Sequence, residues 1–181
     1  MKGKIGFTVA ALTLSGPALA DFEAGGHIGY TMMSFENDGQ SFLGTSFGFR
    51  AGYGVGLGLT PEVNMTLYSG SKSEGDETTS LTQHQTGVGT RFYLGNFAMR
   101  PFASGHLNYA APTTQSLENS GSQTADSAIQ GSGGMGFDLG AGLQVKVLDF
   151  IYSELFGTYA RTFAEIPLSN FYIAAGAGIK I

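Results

Sequence analysis

Gly134 to Val147 reads GMGFDLGAGLQVKV. Its odd positions are Met135, Phe137, Leu139, Ala141, Leu143, Val145 and Val147; its even positions are Gly134, Gly136, Asp138, Gly140, Gly142, Gln144 and Lys146. Side chains alternate across a β-strand, so one face of this stretch is wholly apolar and the other is glycine, amide and charge. A helix would smear the two sets around its surface. A soluble sheet with its apolar face on a core would show the same alternation, and the rest of the chain has to decide.

The pattern recurs. Seven further strands are expected, with the face to be turned outward as follows. About Phe22 to Ser34 carries Phe22, Ala24, Ile28, Tyr30 and Met32; about Phe42 to Leu57 carries Leu43, Phe47, Phe49, Tyr53, Val55 and Leu57. From Glu62 to Tyr68 the set is Val63, Met65 and Leu67, and from Leu81 to Leu94 it is Val88, Thr90, Phe92 and Leu94. A weaker strand starts at Pro101, with Leu107 and Tyr109 outward and Phe102, Ser104, His106 and Asn108 inward. After Gly134 to Val147 come Ile151 to Ala160, with Leu155 and Tyr159, and Phe171 to Ile181, with Phe171, Ile173 and Ile179. Polar segments at Ser69 to Ser80, Ala111 to Gly133 and Ala164 to Asn170 read as loops.

The 181 residues make one domain, without cysteine and with 29 glycines. Met1 to Ala20 has Lys2 and Lys4, an apolar run from Ile5 to Leu14 and A-L-A before Asp21, the layout of a secretory signal peptide cleaved after Ala20. Residues 21–181 then form the mature domain. Losing Lys2 and Lys4 leaves seven basic against 14 acidic residues, a formal charge of −7. An acidic exported chain is not a nucleic-acid binder. No stretch is long and apolar enough for a transmembrane helix. The glycine run from Ala51 to Gly58 is not a nucleotide loop, since no helical pattern follows and Pro61 interrupts.

Three features favour a membrane barrel. Connections alternate between short and long, as in up-and-down barrels with short periplasmic turns and an even strand number. Several strands reach 10 residues or more, enough to cross a bilayer at a tilt. Charges sort by face: Glu23, Glu62, Asp138 and Glu154, with Arg50, Arg91, Lys146 and Lys180, share the inward face. These eight residues are the candidate lumen network, four acids against four bases. The exception is Arg161, near the outer end of its strand, from where it reaches lipid headgroups. Outward Tyr30, Tyr53, Phe92, Tyr109, Phe137, Tyr159, Phe163 and Phe171 would supply interfacial girdles.

The segments RPFASGHLNYA, GFDLGAGLQVKVLDFIYSELFGTYAR and FYIAAGAGIKI resemble the small OmpA/OmpX-like eight-stranded outer-membrane barrels of Gram-negative bacteria. The resemblance implies an all-β, eight-stranded antiparallel up-and-down transmembrane β-barrel in the outer membrane. It implies as partners the outer-membrane lipid, lipopolysaccharide and, during biogenesis, the barrel-insertion machinery. Such barrels usually end in Phe, Tyr or Trp, whereas the sequence here ends in Ile181.

Residue chemistry adds no catalytic set, no metal site and no cofactor. The histidines are His27, His84 and His106; two inward histidines make a weak metal site, and none stands in a nucleophile, base and orienter pattern. The acidic loop residues Glu36, Asp38, Glu74, Asp76, Glu77, Glu118, Asp126 and Glu165 lack EF-hand spacing. The expected role is therefore structural or surface-interacting, in a monomer with no assigned extracellular ligand. A narrow porin-like channel, a lipid A-modifying barrel enzyme and a soluble lipocalin-like carrier remain as alternatives. The carrier requires the apolar faces inside.

Overall fold

A computed structural model describes residues 21–36, 39–95, 98–119, 122–130, 133–164 and 167–181, the side chains of 115 and 117–130 excepted. The segment expected to be a signal peptide, Asp38 and Glu165 lie outside the described residues, as do the side chains of Glu118 and Asp126.

Ten strands follow in order: β1 (Phe22–Phe35), β2 (Ser41–Tyr53), β3 (Leu59–Glu74), β4 (Glu77–Tyr93), β5 (Met99–Ala110), β6 (Thr114–Asn119), β7 (Ser122–Gln130), β8 (Gly134–Lys146), β9 (Ile151–Phe163) and β10 (Leu168–Lys180). Eight of them close into an antiparallel ring, β1-β2-β3-β4-β5-β8-β9-β10, with β10 returning to β1. Phe22 and Ile181 exchange backbone hydrogen bonds of 2.8 and 2.9 Å where the ends meet. Ring closure leaves no edge within the bilayer, where an unpaired N–H or C=O finds no water.

The sorting of faces decides the environment. Phe47, Leu107, Leu139, Leu155 and Ile173 are exposed on the outer wall, while Arg50, Asp138 and Glu154 are each 5% exposed inside. Leu143 is half-buried on the outer wall. This overturns the lipocalin-like alternative: a wall this apolar belongs in lipid and the charges are enclosed. Phe22, Tyr53 and Phe92 stand at one end of the wall; Tyr30, Tyr109 and Phe163 stand at the other.

Two expected loops are sheet. Ser69 to Ser80 continues β3 into β4 around Gly75 and Asp76, with Gly75 at φ +64° and the Ser73 and Thr78 hydroxyls hydrogen-bonded at 3.0 Å. Its serines and threonines were polar enough to resemble a loop, yet they pair in register from Gly70↔Leu81 to Glu74↔Glu77. Ala111 to Gly133 carries β6 and β7. β5 pairs with β4 only as far as Gln85↔Ala110, so Glu77 to Thr82 would present an open edge; β6 covers it. These strands rise beyond the ring on one side.

β2 ends at Tyr53 rather than near Leu57. The turn that follows places Gly56, Leu57 and Gly58 at φ +89°, +54° and +76°. Leu57 is 93% exposed, so no packing compensates its left-handed backbone. Leu57→Gly is expected to raise barrel stability by about 1 kcal/mol, read as a higher urea midpoint of the refolded protein; an unchanged or lower midpoint would show that the turn is unstrained.

Candidate functional site

The lumen is built from inward positions of all eight ring strands, and it is layered. At the end where Phe22 meets Ile181, a vestibule of about 490 Å³ is lined by Asp21, Glu23, Thr60, Tyr93, Arg100 and Lys180, among others. Its floor is Glu23, which accepts from the Tyr93 hydroxyl at 2.7 Å and from Arg100 at 3.3 Å; Arg100 also meets Gln144.

Above this floor lies the densest charge cluster. Arg50 Nη2 donates to Glu154 Oε2 at 3.0 Å and to the Tyr152 hydroxyl at 2.9 Å, and Arg50 Nη1 to Glu62 Oε2 at 3.2 Å. Arg91 Nη1 reaches the same Glu154 oxygen at 2.7 Å, and its Nε lies 3.4 Å from Glu62. Both guanidiniums also rest on rings, Arg91 4.0 Å from the Phe102 centroid and Arg50 5.2 Å from that of Tyr152.

The next layer is held by His106. Its Nδ1 lies 2.6 Å from Asp138 and its Nε2 2.9 Å from Glu62. A ring that donates from both nitrogens is the imidazolium. Asp138 takes further donors from Asn108 at 2.8 Å and Asn64 at 3.4 Å. Four enclosed acids, Glu23, Glu62, Asp138 and Glu154, then face four enclosed cations, Arg50, Arg91, Arg100 and His106. Buried charges persist only with such pairing.

Inward glycines make the room. A Cβ at Gly48 would strike the His27 ring, and one at Gly25 would come within 2.6 Å of the Tyr152 hydroxyl. His27 stacks on Tyr172 at 5.9 Å and meets Phe156 edge-on at 5.2 Å. It shares with Glu62, His106 and Asp138 a cavity of about 20 Å³, large enough for about one water. No group of three His, Cys, Asp or Glu able to hold a metal ion occurs among the described residues.

Toward the far end the filling turns apolar. Tyr68 and Tyr172 contact at 5.5 Å, and Met33, Phe42, Leu81 and Leu168 are buried around them. A ring of amides interleaves with them: Gln85 donates to Gln83 at 3.0 Å and to Thr162 at 3.2 Å, and Asn170 donates to Gln83 at 3.1 Å.

Six of the eight sequence-derived network residues, Glu23, Arg50, Glu62, Arg91, Asp138 and Glu154, are buried together. Lys180 sits at the rim, 2.7 Å from Asp21 and 3.4 Å from Glu23. Lys146 keeps the inward parity but ends its strand outside the cluster, 2.8 Å from Asp149. The hydrogen bond from Lys146 holds the fully exposed Asp149 carboxyl below its usual value. Arg100 and His106 occupy the network in the places given to the two lysines. The alternation alone places His106 inward without giving it a charge partner, and a strand begun at Pro101 leaves out Arg100. Extending the inward parity of Phe102 and Ser104 back by one step reaches Arg100 and forward by one reaches His106.

No protein-family model and no curated protein sequence matches the chain. Solved structures do. Neisserial surface protein A, NspA, aligns at a TM-score of 0.70 and 16% identity, over 88% of this chain and 97% of that one. The outer membrane protein OprG of Pseudomonas aeruginosa aligns at 0.57 and 13%, over 90% and 95%. The outer membrane enzyme PagL aligns at 0.51 and 14%, over 85% and 97%. Identities this low carry the fold and not an activity. With its apolar wall outward and its charges enclosed, the chain is an integral eight-stranded β-barrel of the outer-membrane type.

Proposed function

We propose that the protein is a structural and surface-interaction barrel, neither a channel nor an enzyme, with its tall strands β3, β4, β6 and β7 outside the cell. The observation that carries this reading is the filled lumen. The Arg50, Glu62, Arg91 and Glu154 cluster and the Met33, Phe42, Leu81 and Leu168 layer lie in series, and the cavity beside the charged cluster, under Tyr172, is about 20 Å³. Eight strands enclose just enough room for side chains.

The chemistry of the interior also argues against catalysis. His106 is held by carboxylates at both ring nitrogens, which leaves no lone pair for a base, and His106 and Asp138 are 7% and 5% exposed. A lipid substrate has no route to them. PagL, of similar fold, is an outer membrane enzyme; here the refolded barrel mixed with lipid A is expected to release no fatty acid, and release would overturn the non-enzyme reading.

Planar-bilayer recording tests the main claim. Wild-type protein is expected to insert without conductance steps. Reproducible ohmic steps would replace the plug with the second reading, a narrow gated channel. That reading draws on the open vestibule at one end and on Arg50 having Glu23, Glu62 and Glu154 all within 3.5 Å, so that its partner can change.

A further inference from the structure

Seven lysines and arginines follow residue 20. Arg50, Arg91 and Arg100 point into the lumen, and Lys72, Lys146 and Lys180 keep the inward parity at strand ends. Arg161 alone stands on the outward wall. It lies across from Phe137 of β8 and Ser169 of β10, two positions beyond Tyr159 toward the tall side of the barrel.

Its surroundings are those of a membrane interface. The guanidinium is 5.4 Å from the Phe163 centroid, and Phe137 contacts both Tyr159 and Phe163 at 6.3 and 5.9 Å. Arg161 Nη2 donates to Glu36 Oε2 at 2.7 Å; Ser169 Oγ donates to Glu36 Oε1 at 3.0 Å and lies 3.2 Å from the Tyr159 hydroxyl. Arg161 Nε has no hydrogen-bond partner among the described residues. The side chains of Arg161 and Glu36 remain 39% and 33% exposed.

A cation among lipid-facing aromatics costs stability unless an anion meets it, the cost falling from about 2–4 kcal/mol at the midplane to about 0–1 near the interface. The anions at that depth are lipid phosphates, and a guanidinium fork matches a phosphate better than any other side chain does. We propose that Arg161, with Ser169 and Tyr159, is a binding site for the phosphate of an outer-leaflet lipid. The rings of Phe137 and Phe163 take its apolar part. Glu36 is then a competitor, holding the guanidinium in place until a phosphate displaces it. This rests on the orientation given above, with β3 and β4 outside the cell.

The test uses the refolded full barrel in a phosphate-free maltoside detergent, titrated with bisphosphorylated lipid A, with its dephosphorylated form and with inorganic phosphate, and read by native mass spectrometry. Wild type is expected to retain the phosphorylated lipid about tenfold better than the dephosphorylated one, and to retain no inorganic phosphate. Arg161→Gln is expected to abolish that preference and Arg161→Lys to keep part of it. Glu36→Gln is expected to strengthen retention. Equal retention by Arg161→Gln, loss of retention in Glu36→Gln, or equal binding of inorganic phosphate would each overturn the site. The unboiled gel shift confirms that every variant is folded. Orientation is scored separately, by protease cleavage near Gly75 in whole cells. Cleavage only after the outer membrane is opened would refute the orientation without touching the detergent result.

Discussion

Arg50→Ala is expected to be the most damaging single substitution in the lumen, lowering stability by at least about 3–5 kcal/mol. The residue is 5% exposed and its guanidinium holds Glu62, Glu154 and the Tyr152 hydroxyl at 3.2, 3.0 and 2.9 Å, with Glu23 at 3.5 Å. Removing it takes the cation shared by three enclosed carboxylates, Glu23, Glu62 and Glu154. Arg91 and Arg100 are already engaged and sit on their own rings. Arg50→Lys should not rescue the loss, because a single ammonium cannot reproduce a planar fork spread over three acids. Pairing Arg50→Ala with Glu154→Gln should recover part of it, since one stranded charge disappears; that coupling distinguishes lost pairing from lost packing. Urea unfolding of the refolded barrel, followed by its unboiled gel mobility, gives the midpoints. Arg50→Ala with a wild-type midpoint would show that the network contributes nothing to stability.

The second large effect is a contrast between two glycines. A Cβ on Gly87 of β4 would collide with Asn108 Oδ1 and come within 2.5 Å of Asn64 Oδ1. Those two amides are the ones that donate to Asp138. Gly87→Val therefore overpacks the lumen, at about 1–3 kcal/mol, and also pulls donors from an enclosed carboxylate, at about 1–3 kcal/mol more. Gly157 of β9 lies on the outer wall, where the nearest atom to a built Cβ is the Tyr172 carbonyl at 3.8 Å. Gly157→Val should leave the midpoint within about 0.5 kcal/mol of wild type. Equal effects of the two substitutions would mean that lumen and lipid faces are packed alike, contrary to the distances.

Sequence and structure divide along a physical line. Alternation with a period of two assigns each strand residue to one face, and the sorting of charge says which face is enclosed. From those, Arg50, Glu154 and Asp138 could be placed inside and Phe47 and Leu155 outside before any coordinates. The polar segments could not be read so directly. Ser69 to Ser80 is sheet because β3 and β4 go on pairing with each other past their last β2 and β5 partners, and Ala111 to Gly133 is sheet because β6 takes the edge of β4 that β5 leaves open above Gln85.

Which enclosed residues meet was also beyond the pattern. Arg50 and Glu154 are 104 residues apart in the chain, and their contact depends on how the strands are staggered around the ring. The same stagger carries Lys146 and Lys180 to the rim and brings Arg100 and His106 into the network. A period of two can say inside or outside; it holds no information about height along the barrel axis, so the partners of each buried charge were settled by closure of the sheet.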